Sequence, residues 1–236
     1  GGLVLWAPPD SVPAPWPIRI AGRQAQLAAE APDGDRVLRA ATGYAGLAVL
    51  HPGGGAAAEP AGLWDGLLAQ YTGGQRARPV WGTGQVGYRG DGGRGTPIDA
   101  VQTVFLEAVG SREAVLEALA AGRMYAVRGT GARLVLESFT ASRGDLSATS
   151  GGTLPGGGAV RLSGTLALAD GAAALVRVRL VRDGRVVADF SASAPVTFGH
   201  VDGGPAPGAR AYYRLLADTG DSQLASNPIF ADGGAW

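Results

Sequence analysis

Residues 111–127 read SREAVLEALAAGRMYAV, a short helix that runs directly into a strand. Ser111 can cap the free N–H groups at the start of a helix over 112–121, and Glu113 lies in its electropositive first turn. Gly122 can take the left-handed conformation that ends a helix. The stretch therefore predicts one complete helix and the strand that follows it.

Strand-like and helix-like patterns alternate through the first half of the chain. Helical patterns occupy about 23–41, which Pro32-Asp-Gly34 can interrupt, and 62–71. The short apolar runs, typical of strands buried on both faces, are Leu3–Trp6, Gly46–Leu50, Pro79–Trp81 and Val101–Leu106. Such alternation favours a parallel α/β layer.

The pattern changes after about residue 130. In residues 175–181, apolar Val176 and Val178 alternate with Arg177 and Arg179, as in an antiparallel sheet with one solvated face. The dipeptide Asp183-Gly184 between two such runs predicts a tight hairpin.

The C-terminal tail shows the same strand character. Residues 212–216 predict a strand in which either Tyr213 and Leu215 or the alternate residues enter a core. Residues 226–230 predict the start of the last strand. Together the patterns indicate an α/β domain over 1–129 and a β-sandwich domain over 130–236.

Composition limits the function classes. The chain has 236 residues and 20 basic against 20 acidic side chains, so no net field favours nucleic acid as a partner. It contains no Cys and no Lys, which excludes disulfides, thiolate chemistry, Schiff bases and a Lys-dependent phosphate loop. No apolar run is long enough to predict a transmembrane span.

Three segments together resemble a known family. Residues 111–127, 212–215 and 226–230 are similar to the C-terminal half of PHP-type (polymerase and histidinol phosphatase-like) metal-dependent phosphoesterases that carry an added β-sandwich. The resemblance implies a partial (β/α) barrel followed by an antiparallel β-sandwich, an extracytoplasmic location, and a divalent metal such as Mn, Zn or Fe if the site survives.

The candidate metal ligands follow from that resemblance. His51-Pro52 ends an apolar run, at the carboxyl end of a strand where barrel enzymes place their functional groups. His51 matches a metal-binding His of the family, although a strand-end His that binds nothing is the alternative. Gly87 and Arg89 stand where the family has an Asp and a His, and neither supplies a lone pair to a cation. Asp91 is the one nearby carboxylate that could compensate.

A cluster of arginines surrounds the same segment. Arg89 and Arg94 are candidate anion contacts, together with Arg76 and Arg78 upstream, because guanidinium groups bind phosphate or carboxylate through paired hydrogen bonds. A solvated loop rim is the alternative. The aromatic residues of the first half could form a carbohydrate platform or lie in the core.

Three functions are consistent with these features. The first is a non-catalytic binding or structural protein whose PHP-like metal site has decayed. The second is a fragment or subunit of an active metal-dependent hydrolase, since the sequence starts at Gly1 without an initiating Met. The third is a surface or assembly component, in which exposed strand edges bind a protein partner or a second copy of the chain.

Overall fold

The computed structural model describes residues 2–7, 16–20, 23–27, 34–87, 96–129 and 131–234, with the backbone alone for 16–20 and 23–27. Strands dominate this part of the chain. The helices are α1 (Gly34–Ala40), α2 (Leu63–Thr72) and α3 (Arg112–Ala121), with a 3-10 turn at Ala56–Ala58. The strands are β1 (Leu5–Trp6), β2 (Trp16–Ile20), β3 (Arg23–Leu27), β4 (Gly46–Leu50), β5 (Trp81–Gly84), β6 (Val101–Phe105), β7 (Met124–Gly129), β8 (Leu134–Arg143), β9 (Leu146–Thr149), β10 (Thr153–Leu154), β11 (Val160–Leu168), β12 (Leu175–Arg182), β13 (Arg185–Ser193), β14 (Val196–Asp202), β15 (Arg210–Asp218), β16 (Ser222–Ser226) and β17 (Ile229–Asp232).

A small parallel sheet forms the N-terminal layer. Its strands lie in the order β1-β4-β5, and both pairings are parallel. Every residue of β4 is buried, as its unbroken apolar run predicts. Parallel strands end at the same edge of their sheet, so β1 and β4 bring Trp6 and the residue after Leu50 to one place.

A large mixed sheet forms the middle of the molecule. It runs β10-β17-β15-β16-β7-β6, and the β12–β13 hairpin pairs with the opposite edge of β15. Strand β15 is therefore central. The pairing of β7 with β16 joins strands from the two halves of the sequence.

A four-stranded antiparallel sheet, β14-β11-β8-β9, faces one side of the large sheet. The two sheets enclose one apolar core, to which Tyr213 and Leu215 contribute from β15. The opposite face of β15 carries Tyr212 and Leu216 into a second core, shared with β4, α2 and Phe230. The expectation that Tyr213 and Leu215 enter the sandwich core is confirmed, and the alternate residues are buried as well.

Asn227 links the layers at the point where β16 gives way to β17. Its Oδ1 accepts a hydrogen bond from the Gly82 N–H at 2.7 Å, and its Nδ2 donates to the carbonyl oxygens of Gly82 at 3.0 Å and Met124 at 3.1 Å. The side chain is fully buried. One amide thus satisfies backbone groups of both β5 and β7 where neither strand supplies a partner.

Several local predictions are confirmed. Ser111 Oγ accepts a hydrogen bond from Ala114 N–H at 3.1 Å, and Gly122 has φ 69°. Helix α2 occupies the second predicted helical stretch. Asp183 and Gly184 form the predicted hairpin turn with φ values of 47° and 79°.

The predicted (β/α) barrel is wrong. Three parallel strands form an open sheet, and strands outnumber helices throughout the described ranges. Strands β6 and β7, which the apolar pattern placed in the parallel layer, are antiparallel members of the large sheet. Because that sheet is covered on both faces, its strands carry the same apolar runs as a parallel sheet would.

The helix predicted over 23–41 is also largely wrong. Residues 23–27 form strand β3, antiparallel to β2, and the helix is confined to Gly34–Ala40. Residues 28–33 lie outside the described ranges. The predicted domain boundary between residues 129 and 130 stays a prediction. In the chain as described, no helix is long and apolar enough to cross a membrane.

Candidate functional site

A pocket of about 360 Å³ opens where β1 and β4 end. Its lining includes Trp6, His51 and Asp35, and the other lining residues are mostly apolar. Leu47, Ala57 and Leu63 contribute to that wall. The site follows the general rule that ligands bind beyond the carboxyl ends of parallel strands.

A tight turn holds His51 at the pocket. His51 N–H donates to Gly54 C=O at 2.9 Å, and Gly54 N–H donates back to His51 C=O at 3.0 Å. A Cβ added at Gly53 would lie 3.2 Å from the imidazole Cε1 and Nδ1 atoms. The glycine therefore leaves room for the ring to lie over the turn.

The opposite wall is the 3-10 turn followed by Gly62, where α2 begins. A Cβ at Gly62 would approach the carbonyl oxygens of Glu59, Ala56 and Ala57 to 2.8–3.0 Å. No side chain fits there without moving the turn. This close packing fixes the wall next to Ala57.

Glu59 ties this wall to the large sheet. Its carboxylate accepts hydrogen bonds from Arg179 Nη1 at 2.8 Å and Gln223 Nε2 at 3.3 Å. Both partners come from strands remote in sequence. The pocket wall is thereby attached to the rigid sheet rather than left as a free loop.

A buried ion pair supports α2 behind the pocket. Arg214 Nε and Nη2 donate to the two carboxylate oxygens of Asp65 at 2.7 and 2.8 Å, and both side chains are buried. Tyr212 Oη donates to Asp65 Oδ1 at 2.9 Å. Burial, together with the nearby Asp65 charge, raises the pKa of the Tyr212 phenol above its ordinary value. Arg214 also lies over the Trp64 ring, 5.0 Å from its centroid.

This cluster is structural rather than exposed to a ligand. The charges of Asp65 and Arg214 neutralise each other through two hydrogen bonds, which offsets the cost of removing them from water. Ala61 N–H adds a further hydrogen bond to Asp65 Oδ2 at 2.8 Å. The cluster fixes where α2 starts and so positions Leu63 in the pocket wall.

The structure brings together only part of the predicted site. His51 lies in the pocket, whereas Arg89, Asp91 and Arg94 fall outside the described residues, so their roles stay predictions. Across the described ranges, no three His, Cys, Asp or Glu side chains are placed to hold a metal ion. The described residues around His51 therefore do not fit a metal centre.

Arg76, from the same predicted arginine cluster, has a different role. Its Nη2 donates to the carbonyl oxygens of Leu38 at 2.8 Å and Ala41 at 2.6 Å, and its guanidinium lies over the Tyr44 ring. The side chain is buried. Arg76 therefore hydrogen-bonds to free carbonyl groups at the C-terminal end of α1 instead of facing an anion.

Sequence reasoning missed Asp35 and the pocket role of Trp6. Asp35 is an ordinary first-turn acid of α1, and its sequence position carries no signal of a pocket. Asp65 was detectable in principle, since a carboxylate inside the apolar run Leu63–Leu68 must find a partner if that run is buried.

No family model matches the chain, and no curated protein matches it. Among solved structures, the chain is similar to the sensor domain of the anti-sigma factor RsgI4 of Pseudobacteroides cellulosolvens, at 9% identity and a TM-score of 0.29. That match covers 45% of this chain and 98% of the sensor domain, and a likeness this weak carries no argument about function.

The resemblance to PHP phosphoesterases is therefore wrong. No family model supports it, and the described fold is mostly β. The described residues contain no cluster of three or more His, Cys, Asp or Glu side chains that could hold a metal ion. The three segments that suggested it are a capped helix that runs into a strand, part of β15, and the junction of β16 and β17. These segments have common helix-capping and strand-forming sequences that many β-rich folds can share.

Proposed function

We propose that this chain is a binding protein that holds a small planar organic molecule in the pocket of Trp6, Asp35 and His51. The observation that carries the proposal is a pocket of about 360 Å³ at the carboxyl ends of two parallel strands. Its mostly apolar wall with a few polar groups is the usual composition of a small-molecule site.

The polar groups define the chemistry of the ligand. The His51 imidazole has two ring nitrogens that can take part in hydrogen bonds, and the Asp35 carboxylate accepts hydrogen bonds. The Trp6 ring provides a flat apolar surface. A heteroaromatic molecule with an N–H group and a ring acceptor satisfies all three contacts.

The test uses benzimidazole as the probe, with isothermal titration calorimetry as the readout. We expect saturable binding at one site in the wild-type chain. Ala57→Leu fills the pocket wall and should weaken binding by about tenfold or more. Ala192→Leu, at an exposed position on β13, is the matched control and should leave binding unchanged.

Two outcomes contradict the proposal. One is the absence of binding of benzimidazole and of the related probes indole and quinoline at millimolar concentration. The other is equal affinity in the wild-type and Ala57→Leu chains. A thermal melt of each variant shows whether a lost signal comes from unfolding instead.

A second candidate function is self-association through β13. This nine-residue strand pairs with β12 along one edge, and no other described strand pairs with it. Val186 is 43% exposed near the start of β13, and Leu175, at the other end of the hairpin on β12, is 67% exposed. An open edge with exposed apolar side chains favours pairing with a second copy.

Light scattering coupled to size-exclusion chromatography tests this second function. We expect a dimer at high protein concentration, which Val186→Lys should convert to monomer by placing a charge on the edge. Ile98→Lys changes a more exposed apolar residue outside any strand and should leave the dimer intact. A wild-type monomer at every concentration contradicts it.

A further inference from the structure

A second, more polar cleft of about 530 Å³ lies at the other end of α2. It is bounded by Tyr71 near the end of the helix, by Arg210 at the start of β15 and by Asp232 at the end of β17. Its lining shares no residue with the His51 pocket. It therefore stands apart from the function proposed above.

An arginine–aspartate pair faces this cleft from the sheet. Arg210 and Asp232 are directly opposite each other on neighbouring strands. Arg210 Nε donates to Asp232 Oδ1 at 2.7 Å, and Arg210 Nη1 donates to Tyr71 Oη at 3.2 Å. The guanidinium carbon lies 5.6 Å from the centroid of the Tyr71 ring. These contacts fix the orientation of both charged groups before any ligand arrives.

Both charged groups remain accessible. Each side chain is 35% exposed. Within the described part of the chain, no hydrogen-bond donor contacts Asp232 Oδ2 and no acceptor contacts Arg210 Nη2. The pair thus presents a free acceptor beside a free donor.

Most of the remaining lining residues are glycines. Gly208 and Gly234 have φ values of 75° and 73°, and Gly208 N–H donates to Gly234 C=O at 2.8 Å. A Cβ at Gly233 would lie 1.8 Å from the carbonyl oxygen of Ala206. Glycine is required at these positions, and the absence of side chains there leaves the cleft open.

The charge balance selects the ligand class. A lone arginine would favour an anion, but Asp232 cancels its charge and would repel a phosphate or carboxylate. A vicinal diol matches the pair, because one hydroxyl accepts from the guanidinium while its neighbour donates to the carboxylate. Hydroxyl groups also exchange hydrogen bonds with exposed backbone N–H and C=O groups.

We infer that the Arg210–Asp232 cleft binds a neutral carbohydrate through two adjacent hydroxyl groups. Saturation-transfer NMR and calorimetry with methyl α-D-mannopyranoside and maltose test this, with inorganic phosphate as the anionic probe. The wild-type chain should bind at least one sugar in the millimolar range and should not bind phosphate at this cleft.

Asp232→Asn gives the most discriminating result. It keeps the shape of the side chain but removes the charge that balances Arg210, so sugar affinity should fall by about tenfold and phosphate binding should appear. Asp189→Asn is the matched control, since Asp189 accepts from Arg177 in an exposed pair on β12 and β13. It should change neither affinity.

Ala209→Leu is a second variant that blocks the cleft without touching the pair, because Ala209 is exposed on the lining. It should abolish sugar binding while the melting curve stays that of the wild type. Phosphate binding without sugar binding in the wild-type chain overturns the inference, as does the absence of binding of either probe. Ala57→Leu in the His51 pocket should leave sugar binding unchanged, which separates this result from the first proposal.

Discussion

At the scale of single residues, buried polar side chains decide how the layers join. Asn227 and Asp65 each satisfy several groups that would otherwise be buried without partners. Neither residue contributes apolar area. Their importance comes from the cost of leaving a buried donor or acceptor unpaired, which exceeds the gain from an average hydrogen bond.

Asn227→Ala is expected to destabilise the fold strongly. The substitution leaves the Gly82 N–H and two buried carbonyl groups without partners, which should lower the free energy of unfolding by about 3 kcal/mol. Denaturant unfolding measures the change. Gln75→Ala removes an amide from an exposed position and should cost almost nothing; equal losses in the two variants would contradict the role of Asn227.

Tyrosine ionisation should limit stability at alkaline pH. Burial, with a contribution from neighbouring carboxylates, raises the pKa of Tyr212 and of Tyr213 in the folded chain. The unfolded chain ionises these phenols near the ordinary pKa of about 10. Their stabilising contribution is therefore complete below about pH 10 and is lost as the pH rises above it.

Unfolding followed across alkaline pH checks this expectation. Because the chain has no Lys or Cys, few other side chains titrate in the same range. Tyr213→Phe should shift the alkaline midpoint upward, because it removes one of the two phenols whose pKa is raised by burial. An alkaline midpoint that is the same in the wild-type and Tyr213→Phe chains would show that another process drives alkaline unfolding.

At the scale of elements, helix caps and apolar runs predicted individual helices and strands well, but they did not predict which strands pair with each other. Helix α3 followed from Ser111, Glu113 and Gly122, since caps act within one turn of the chain. Strand β15 followed from its run of large apolar residues. The pairing of β7 with β16 could not be predicted, because apolar runs record burial on both faces and not which strand lies alongside.

The same distinction applies to the candidate site. The position of His51 at a strand end follows from the apolar run before it. Its neighbours Trp6 and Asp35 come from β1 and α1, and only the three-dimensional fold brings them together. The helix predicted over 23–41 includes Arg23–Leu27, whose period-two pattern fits the observed β3 better.

The β12–β13 hairpin offers a clean test of an element predicted from sequence. Gly184 has φ 79° in its turn, a conformation that costs an L-residue about 1 kcal/mol. Gly184→Ala should lower the free energy of unfolding by that amount. Gly199→Ala is the control, because Gly199 lies on β14 with open space around it and no positive φ. It should not lower the free energy of unfolding. Chemical denaturation of both variants therefore separates backbone strain from the effect of adding a methyl group.

At the scale of the whole molecule, the large sheet is the framework on which both clefts are built. One face completes the sandwich core and the other supports the parallel layer. The wall of the His51 pocket is attached to that sheet through Glu59, and the Arg210–Asp232 pair is part of the sheet itself. Both clefts thus rest on elements with a fixed geometry.

If the pocket of Trp6, Asp35 and His51 holds a planar ligand, an NMR titration of the isotope-labelled chain with benzimidazole will locate it there. We expect saturable shifts of the His51 ring signals and of the Leu47 and Ala57 amides, all of which are lost in Ala57→Leu. Shifts confined to residues outside this pocket, or none at saturating benzimidazole, would contradict it.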